Sequence, residues 1–365
     1  MDITGSTQPN MADATQKTHM VSVDVMRITA AFLVILGHVT APFAEFEIME
    51  TWRTASVASL FYGPFCILAI PIFIMLSGML LLEKNINDNI RVFYQRRINK
   101  VLIPMIAWIL IYYGYNLVLK GGSFSLIPFM EEILVGWKTD HIPWHLWYLP
   151  MILSLYVFAP IIKTITEHCD RTVLTGLVLV MFIYEFILPL IGEFFQIELG
   201  LYTYRTFSSI YLFYFILGYM LNSGVYTIKP RVLVAMFWIG FLTSWLGSVF
   251  AYSIGYDMSL IGIARMNTIL MAVTVFLYMK RNTIVIKSVR IQRIVRELGS
   301  LSFGVYLVHI LMIDTLNRGY IGVTITPYII HPLIGIPIQA IAAFILSIAA
   351  VYTMRKVPFI RAIVP

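Results

Sequence analysis

Long apolar segments separated by short polar ones recur along the whole of this 365-residue chain. About 20 apolar residues are what an α-helix needs to cross a bilayer. The strict alternation of apolar and polar residues that marks membrane β-strands is missing, so helices are the expected spanning elements. We predict ten spans, near residues 21–43, 59–82, 101–119, 146–165, 172–190, 207–222, 231–252, 260–279, 298–316 and 333–354.

The composition supports this pattern. The chain is 59% hydrophobic and only 12% charged, whereas a soluble globular protein is about 25% charged. We therefore predict an all-α fold, a polytopic membrane helical bundle of about ten transmembrane helices. Membrane lipid is then a necessary partner of the protein.

The positions of the basic residues predict the orientation of the bundle. If the N-terminus is cytoplasmic, most of the 26 Lys and Arg residues fall in cytoplasmic loops. Such an excess is the usual signature of the cytoplasmic side. An even number of spans then places both termini in the cytoplasm. We interpret the net charge of +7 as a consequence of this topology and expect no nucleic-acid partner.

The chain divides into a short tail, a membrane domain and a second short tail. Residues 1–19 are polar and mixed, and we predict a disordered cytoplasmic tail. This segment lacks the features of a removable signal peptide. Residues 20–355 form the predicted transmembrane domain, and residues 356–365 a short cytoplasmic tail. Because no soluble domain is evident, the chemistry is expected within the bundle or at its faces.

Several familiar site motifs are missing. The sequence has no Walker A loop, no GxGxxG, no HExxH, no CxxC pair, no EF-hand loop and no GxSxG. No group of residues has metal-ligand spacing, so we predict no metal site. These absences argue against ATP-driven pumping, metalloprotease, dehydrogenase and serine hydrolase chemistry.

The first span carries two ionisable residues on one face. Arg27 and His38 are eleven residues apart, which brings them within roughly 20° of each other and about 16 Å apart along a helix. Ionisable groups within a membrane usually face the bundle interior and act there. The structural alternative is that Arg27 reaches the interface and pairs with Asp24, while His38 only packs.

The second and third spans contain a Ser-Gly pair and a basic cluster. Ser77 and Gly78 usually indicate close helix packing. Arg96, Arg97 and Lys100 follow the second span on the cytoplasmic side. Such a cluster is typical of a topology anchor. Alternatively it binds phosphates, for which the arginine fork is suited.

Aromatic residues gather at the outer end of the fourth span. The default interpretation of this cluster is an interfacial belt. The alternative is a sugar platform, on which aromatic faces stack and a histidine binds hydroxyls. The residues concerned are Trp144, His145, Trp147 and Tyr148.

Two further polar residues lie within later spans. Glu185 in the fifth span needs a partner from another helix or a proton. We considered an ion network that joins it to Arg265 and Asp314. His309 lies within the ninth span.

Taken in order, these elements resemble the acyltransferase-3 family of bacterial integral-membrane proteins, over about residues 20–355. Asp24, Arg27 and His38 match its D-x-x-R and R-x10-H spacing, and FIMLSGMLL around Ser77 resembles its FxxSGFLL run. The segment before Pro104 is similar to its RRxxR element, with Lys100 in place of the common arginine. HLWYL from His145, followed by Pro160, resembles its helix-four signature. FGVYLVH, which ends at His309, resembles its YxxYLxH motif.

The resemblance implies an O-acyltransferase of the bacterial inner membrane, most similar to surface-polysaccharide O-acetyltransferases. Such an enzyme moves an acetyl group from cytoplasmic acetyl-CoA to a hydroxyl of a cell-surface or lipid-linked glycan, without a bound cofactor. His38 is then the general base or the acyl carrier, and Arg27 holds the donor or stabilises the developing charge. The basic cluster of the third span holds the phosphates of acetyl-CoA, and the aromatic cluster of the fourth binds the acceptor. Supporting polar roles fall to Asp24, Ser77, Glu185 and His309.

Two other classes of function fit a polytopic bundle with buried charges. A transporter or flippase for a lipid-linked glycan would show similar composition. The sequence has no inverted repeat and no paired broken helices, which argues against that class. A sensory or ligand-delivery module is the third class, but no enzyme domain is fused to this chain.

Overall fold

The computed structural model describes residues 11–43, 53–83, 89–120, 144–195, 209–223, 228–254, 265–281 and 286–365, with residues 125, 127, 129, 130 and 262. All regular structure within these residues is helical, which confirms the all-α prediction. The helices are α1 Met11–Thr40, α2 Arg53–Cys66, α3 Ala69–Leu82, α4 Ile90–Lys120, α5 Tyr148–His168, α6 Arg171–Phe182, α7 Leu188–Phe195, α8 Ile210–Asn222, α9 Pro230–Ser253, α10 Met266–Arg281, α11 Val289–Arg318 and α12 Pro332–Met354.

Each of the ten predicted spans coincides with a helix or a pair of helices. In the described part of the chain, eight helical segments are long and apolar enough to cross a membrane. The remaining two spans correspond to α8, with 13 residues, and α10, with 16. The chain is therefore a multi-pass membrane bundle, as the hydropathy pattern predicted.

Two of the spans are interrupted rather than straight. Pro71 has no N–H to donate to the carbonyl of Ile67, and α2 and α3 are separated by a turn at this point. The fifth span contains a π-helical turn, Ile183–Ile187, between α6 and α7. Such turns insert one extra residue and are frequent at functional positions.

Several helices begin well before the predicted span. Helix α4 begins at Ile90 and α11 at Val289, before the third and ninth predicted spans, which start at residues 101 and 298. The added turns are basic and polar, and an apolar pattern cannot detect a helix that continues into water. The first helix begins at Met11 and so overlaps the predicted tail, of which residues 1–10 lie outside the described residues. The domain boundaries stay predictions.

A close helix crossing joins α3 and α8. Gly78 faces the backbone of Phe215, and a Cβ added at Gly78 would overlap the carbonyl oxygen of Phe215. Gly218 faces Met75 in the reciprocal way. This arrangement explains the Ser-Gly pair of the second span, since small residues allow two membrane helices to approach closely.

Helix α1 lies in the interior of the bundle. It packs against α2, α3, α11 and α12. Helices α6 and α9 are peripheral, and their outward apolar side chains include Val180, which is 58% exposed, and Trp238, which is 49% exposed. Lipid is the natural environment for these faces. Asp24, Arg27 and His38 of α1 therefore lie within the bundle, where other helices surround them.

Candidate active site

A single large cavity adjoins α1 and contains both of its predicted functional residues. The cavity has a volume of about 1090 Å³ and is lined by side chains from seven spans. Arg27 and His38 both line it, as their spacing on one helix face predicted. We call it the central cavity. Along α1 it extends from Arg27, near the predicted cytoplasmic end, to Ala41 at the opposite end.

Basic side chains surround the predicted cytoplasmic mouth of the central cavity. Arg97 and Lys100 line it, and they are three residues apart on one face of α4. Arg96 is exposed and lies outside the cavity lining. Successive helical residues point about 100° apart, so Arg96 and Arg97 cannot both face inward. The predicted basic cluster is therefore reduced to Arg97 and Lys100.

A third cation at this mouth was missed by sequence reasoning. Arg355 lines the central cavity. Its guanidinium donates one hydrogen bond to the side-chain Oγ of Ser300, at 2.9 Å, and another to the backbone carbonyl of Ser300, at 2.7 Å. It also donates to the carbonyls of Val364, at 2.9 Å, and Pro365. Burial, and secondly the charge of Arg361, lower the pKa of Arg355. In the sequence Arg355 resembles an ordinary topology anchor after the last span.

Arg27 both pairs with Asp24 and faces the bundle interior, the two alternatives that the sequence allowed. Its Nη1 lies 3.4 Å from Oδ1 of Asp24, with the Arg27 side chain 33% exposed and that of Asp24 6% exposed. Asp24 is packed against Gly299 of α11, where a Cβ would lie 2.7 Å from the Cβ of Asp24. Arg27 therefore pairs with a buried carboxylate and also faces the central cavity.

Three histidines from distant parts of the chain meet beside the central cavity. The ring of His38 lies 5.0 Å from that of His309 and 5.7 Å from that of His145, measured between centroids. The rings of His145 and His309 are 4.9 Å apart. His145 is 3% exposed and His309 is fully buried. Among the described residues, no group of His, Cys, Asp and Glu side chains has the arrangement of a metal site.

Hydrogen bonds to the backbone hold two of these histidines in place. Nδ1 of His309 lies 2.6 Å from the carbonyl oxygen of Tyr306. The hydroxyl of Tyr306 donates to the carbonyl of His145 at 2.5 Å. Both ring nitrogens of His145 and Nε2 of His309 are buried without a hydrogen-bond partner in the described structure. Unpaired buried polar atoms are costly, so these nitrogens call for a partner that the described contacts do not supply.

The aromatic cluster of the fourth span faces inward. His145 belongs to the histidine cluster, so the belt interpretation is wrong for this residue. Trp147 and Tyr148 line the central cavity. The side chain of Trp144 lies outside the described residues. The chain turns inward here because the four residues Trp144–Trp147 form a 3-10 turn directly before α5.

The remaining predicted residues differ in their relation to the cavity. Ser77 lines it, beside the glycine crossing of α3 and α8. Glu185 is buried in the π-helical turn but is not part of the cavity lining. Arg265 pairs with Glu193, and Asp314 pairs with Arg318 at 2.8 Å. Arg265 and Asp314 therefore belong to two separate pairs, and the single network that we considered is wrong.

The chain is thus a multi-pass helical membrane protein with cationic and imidazole side chains on one internal cavity. The family model described as Acyltransferase domain, Acyl_transf_3, matches residues 20–355. The chain belongs to this acyltransferase family and is a membrane acyltransferase. No curated protein and no solved structure matches the chain.

Proposed function

We propose that this protein transfers an acetyl group from cytoplasmic acetyl-CoA to a hydroxyl of a cell-surface or lipid-linked glycan, in a bacterial inner membrane. The observation that carries the proposal is that Arg27, His38, Arg97 and Lys100 all line one cavity. Phosphates favour the cationic mouth, and an imidazole can remove a proton from an alcohol. A donor from one side and an acceptor from the other then meet at His38.

The donor occupies the cationic half of the central cavity. Arg97 and Lys100 hold phosphates of acetyl-CoA through charge-assisted hydrogen bonds. Arg27 and His38 are about 16 Å apart along α1. The thioester end of the donor extends inward past Arg27 toward His38. The guanidinium of Arg27 holds the donor along this path, because the thioester carbon that reacts must lie beside His38.

His38 performs the proton transfer. It takes the proton of the acceptor hydroxyl while the alcohol oxygen attacks the thioester carbonyl carbon. The carbon–sulfur bond then breaks, and the thiolate receives a proton from the His38 imidazolium, which gives an acetyl ester and free CoA thiol. In a two-step route His38 itself attacks the thioester, the carbon–sulfur bond breaks, and the thiolate leaves as the thiol with the ring proton of His38. The acceptor hydroxyl then attacks the acyl-imidazole, the carbon–nitrogen bond breaks, and the hydroxyl proton returns to the imidazole.

The acceptor approaches from the opposite half of the cavity. Trp147 and Tyr148 offer aromatic faces on which a sugar ring can stack. His145 also lines the cavity. Its two unpartnered nitrogens are buried, so a bond from either one to a sugar hydroxyl requires the ring to turn. Together these groups would hold a sugar next to His38.

The donor-binding role predicts a difference between neighbouring arginines. Arg97→Ala or Lys100→Ala should raise the KM for acetyl-CoA about tenfold, because each removes one charge-assisted phosphate contact of about 1.5 kcal/mol. Arg96→Ala is the matched control, since its side chain is exposed outside the cavity. Initial rates over a range of acetyl-CoA concentrations measure the effect. An equal change in KM for Arg96→Ala would contradict the assignment.

The function itself is tested with purified protein in lipid nanodiscs. Acetyl-CoA and glycan extracted from the host cell surface are added, and free thiol and acetylated glycan are measured together. We expect equal amounts of thiol and ester. A transporter or flippase would move glycan across sealed vesicles without releasing thiol. Mass spectrometry of surface glycans from cells with and without the gene identifies the sugar and the acyl group.

A further inference from the structure

His309 is buried where it can act on His38 without touching a substrate. It is fully buried and is not part of the cavity lining, whereas His38 lines the cavity. The two rings are 5.0 Å apart between centroids, with their planes at 44°. Any effect of His309 on the reaction must therefore pass through a neighbouring side chain.

The hydrogen bond to Tyr306 fixes the tautomer of His309. A carbonyl oxygen can only accept, so Nδ1 of His309 donates to Tyr306 at 2.6 Å. In the neutral ring Nε2 then carries a lone pair. This atom is buried and has no partner among the described residues. Nε2 of His309 can therefore accept a hydrogen bond from a neighbouring donor.

The N–H of His38 is within reach of this acceptor. A linear N–H···N bond of about 2.9 Å between two imidazoles places their centroids roughly 5 Å apart. The observed 5.0 Å meets this condition. The bond itself is not formed in the described structure, where Nε2 of His309 has no partner, so it requires the His38 ring to turn. Within the described residues, neither histidine is joined to a carboxylate in a salt bridge. The described salt bridges therefore supply no acidic partner of the kind that usually orients a catalytic histidine.

We propose that His309 is the positioning residue of the catalytic base, an inference that rests on the proposed function of His38. Nε2 of His309 accepts one ring N–H of His38, which leaves the other His38 nitrogen unprotonated and directed at the acceptor hydroxyl. When His38 takes the hydroxyl proton, the N–H that it shares with His309 stays on His38. The neutral acceptor stabilises the resulting imidazolium and prevents the ring from turning away.

His145 is the competing partner for the same acceptor, because its ring lies 4.9 Å from that of His309. The two alternatives predict different kinetics. If His309 orients His38, its loss lowers kcat and leaves the KM for both substrates nearly unchanged. If it orients His145, its loss raises the KM for the acceptor instead.

The kinetic test compares His309→Leu with His309→Gln, since only glutamine keeps a neutral acceptor. We expect the leucine variant to lose about 100-fold in kcat and the glutamine variant to keep several-fold more activity than leucine. The control is His168→Leu, an exposed histidine outside the central cavity, which should behave as wild type. Equal or higher activity of the leucine variant, or a change confined to the acceptor KM, overturns the proposal. His309→Asn and His309→Phe repeat the comparison if one variant does not fold.

A second measurement is independent of acetyl transfer. The 15N spectrum of histidine-labelled protein in nanodiscs reports which ring nitrogen of each of the seven histidines carries the proton. The His38 signals are assigned by their loss in His38→Asn. We expect one tautomer of His38 in the wild type and a mixture in His309→Leu. If the tautomer of His38 is the same in His309→Leu as in the wild type, the positioning role is overturned even when acetyl transfer is confirmed. If the spectra change as expected but the wild-type protein transfers no acetyl group, only the proposed function is rejected.

Discussion

Replacing His38 with alanine should reduce acetyl transfer by about 10³-fold or more, since the variant lacks the group that removes the acceptor proton. The alternative role as acyl carrier predicts the same loss, because no nucleophile then accepts the acetyl group. His38 lies beside the central cavity and not in its tightest helix crossing, so the protein should remain folded. Thiol release and ester formation by the purified variant measure the effect.

A matched variant and a chemical rescue make this prediction specific. His168→Ala removes an exposed histidine whose Nδ1 lies 2.9 Å from the carbonyl of Thr164, and it should keep full activity. Added imidazole should restore part of the activity of His38→Ala, since the vacated space opens into the central cavity. Full activity of His38→Ala without imidazole would refute both roles of His38.

Gly78→Ala should destabilise the protein by about 3 kcal/mol or more, because overpacking is costly and the new Cβ would meet backbone that cannot move aside. The obstructing atom is the carbonyl oxygen of Phe215 on α8. A shift of α3 away from α8 would also displace Ser77 from the central cavity. The midpoint of thermal unfolding in detergent and the residual transfer activity should therefore fall together.

Gly114→Ala provides the control for this substitution. Gly114 lies within α4, and nothing is within 4 Å of the position of its missing Cβ. Alanine is favoured over glycine in a helix by about 1 kcal/mol, so this variant should be equally or more stable. Gly218→Ala should behave like Gly78→Ala, since it meets the backbone of Met75 at the same crossing. A stable, active Gly78→Ala protein would show that the crossing can widen.

The spans were predictable because the bilayer makes hydrophobic length a direct signal. The helix ends were not, because a helix that leaves the membrane keeps its hydrogen bonds but loses its apolar pattern. The basic turns from Ile90 and from Val289 are of this kind. The α2–α3 interruption could not be predicted from Pro71 alone, because Pro104, Pro160 and Pro337 lie inside unbroken helices.

Within the site, what lay on one helix was predictable and what met across helices was not. Arg27 and His38 share α1, so their common face follows from the helical period. The same argument, applied to α4, would have separated Arg96 from Arg97. The meeting of His145 and His309 beside His38 depends on how α5, α11 and α1 pack. No local sequence pattern encodes that packing. From the sequence, His145 was therefore interpreted as a member of an interfacial aromatic belt.

The central cavity has an electrical consequence for the cell. A passage between two compartments would dissipate ion gradients if it were filled with mobile water along its length. Between the cationic mouth and the far end, its walls include Ile67, Ile70, Phe73 and Leu60. Such walls make the transit of a bare ion costly, whereas an uncharged acyl thioester can extend along them with little penalty. The bundle can thus remain an insulator while it transfers a neutral acyl group.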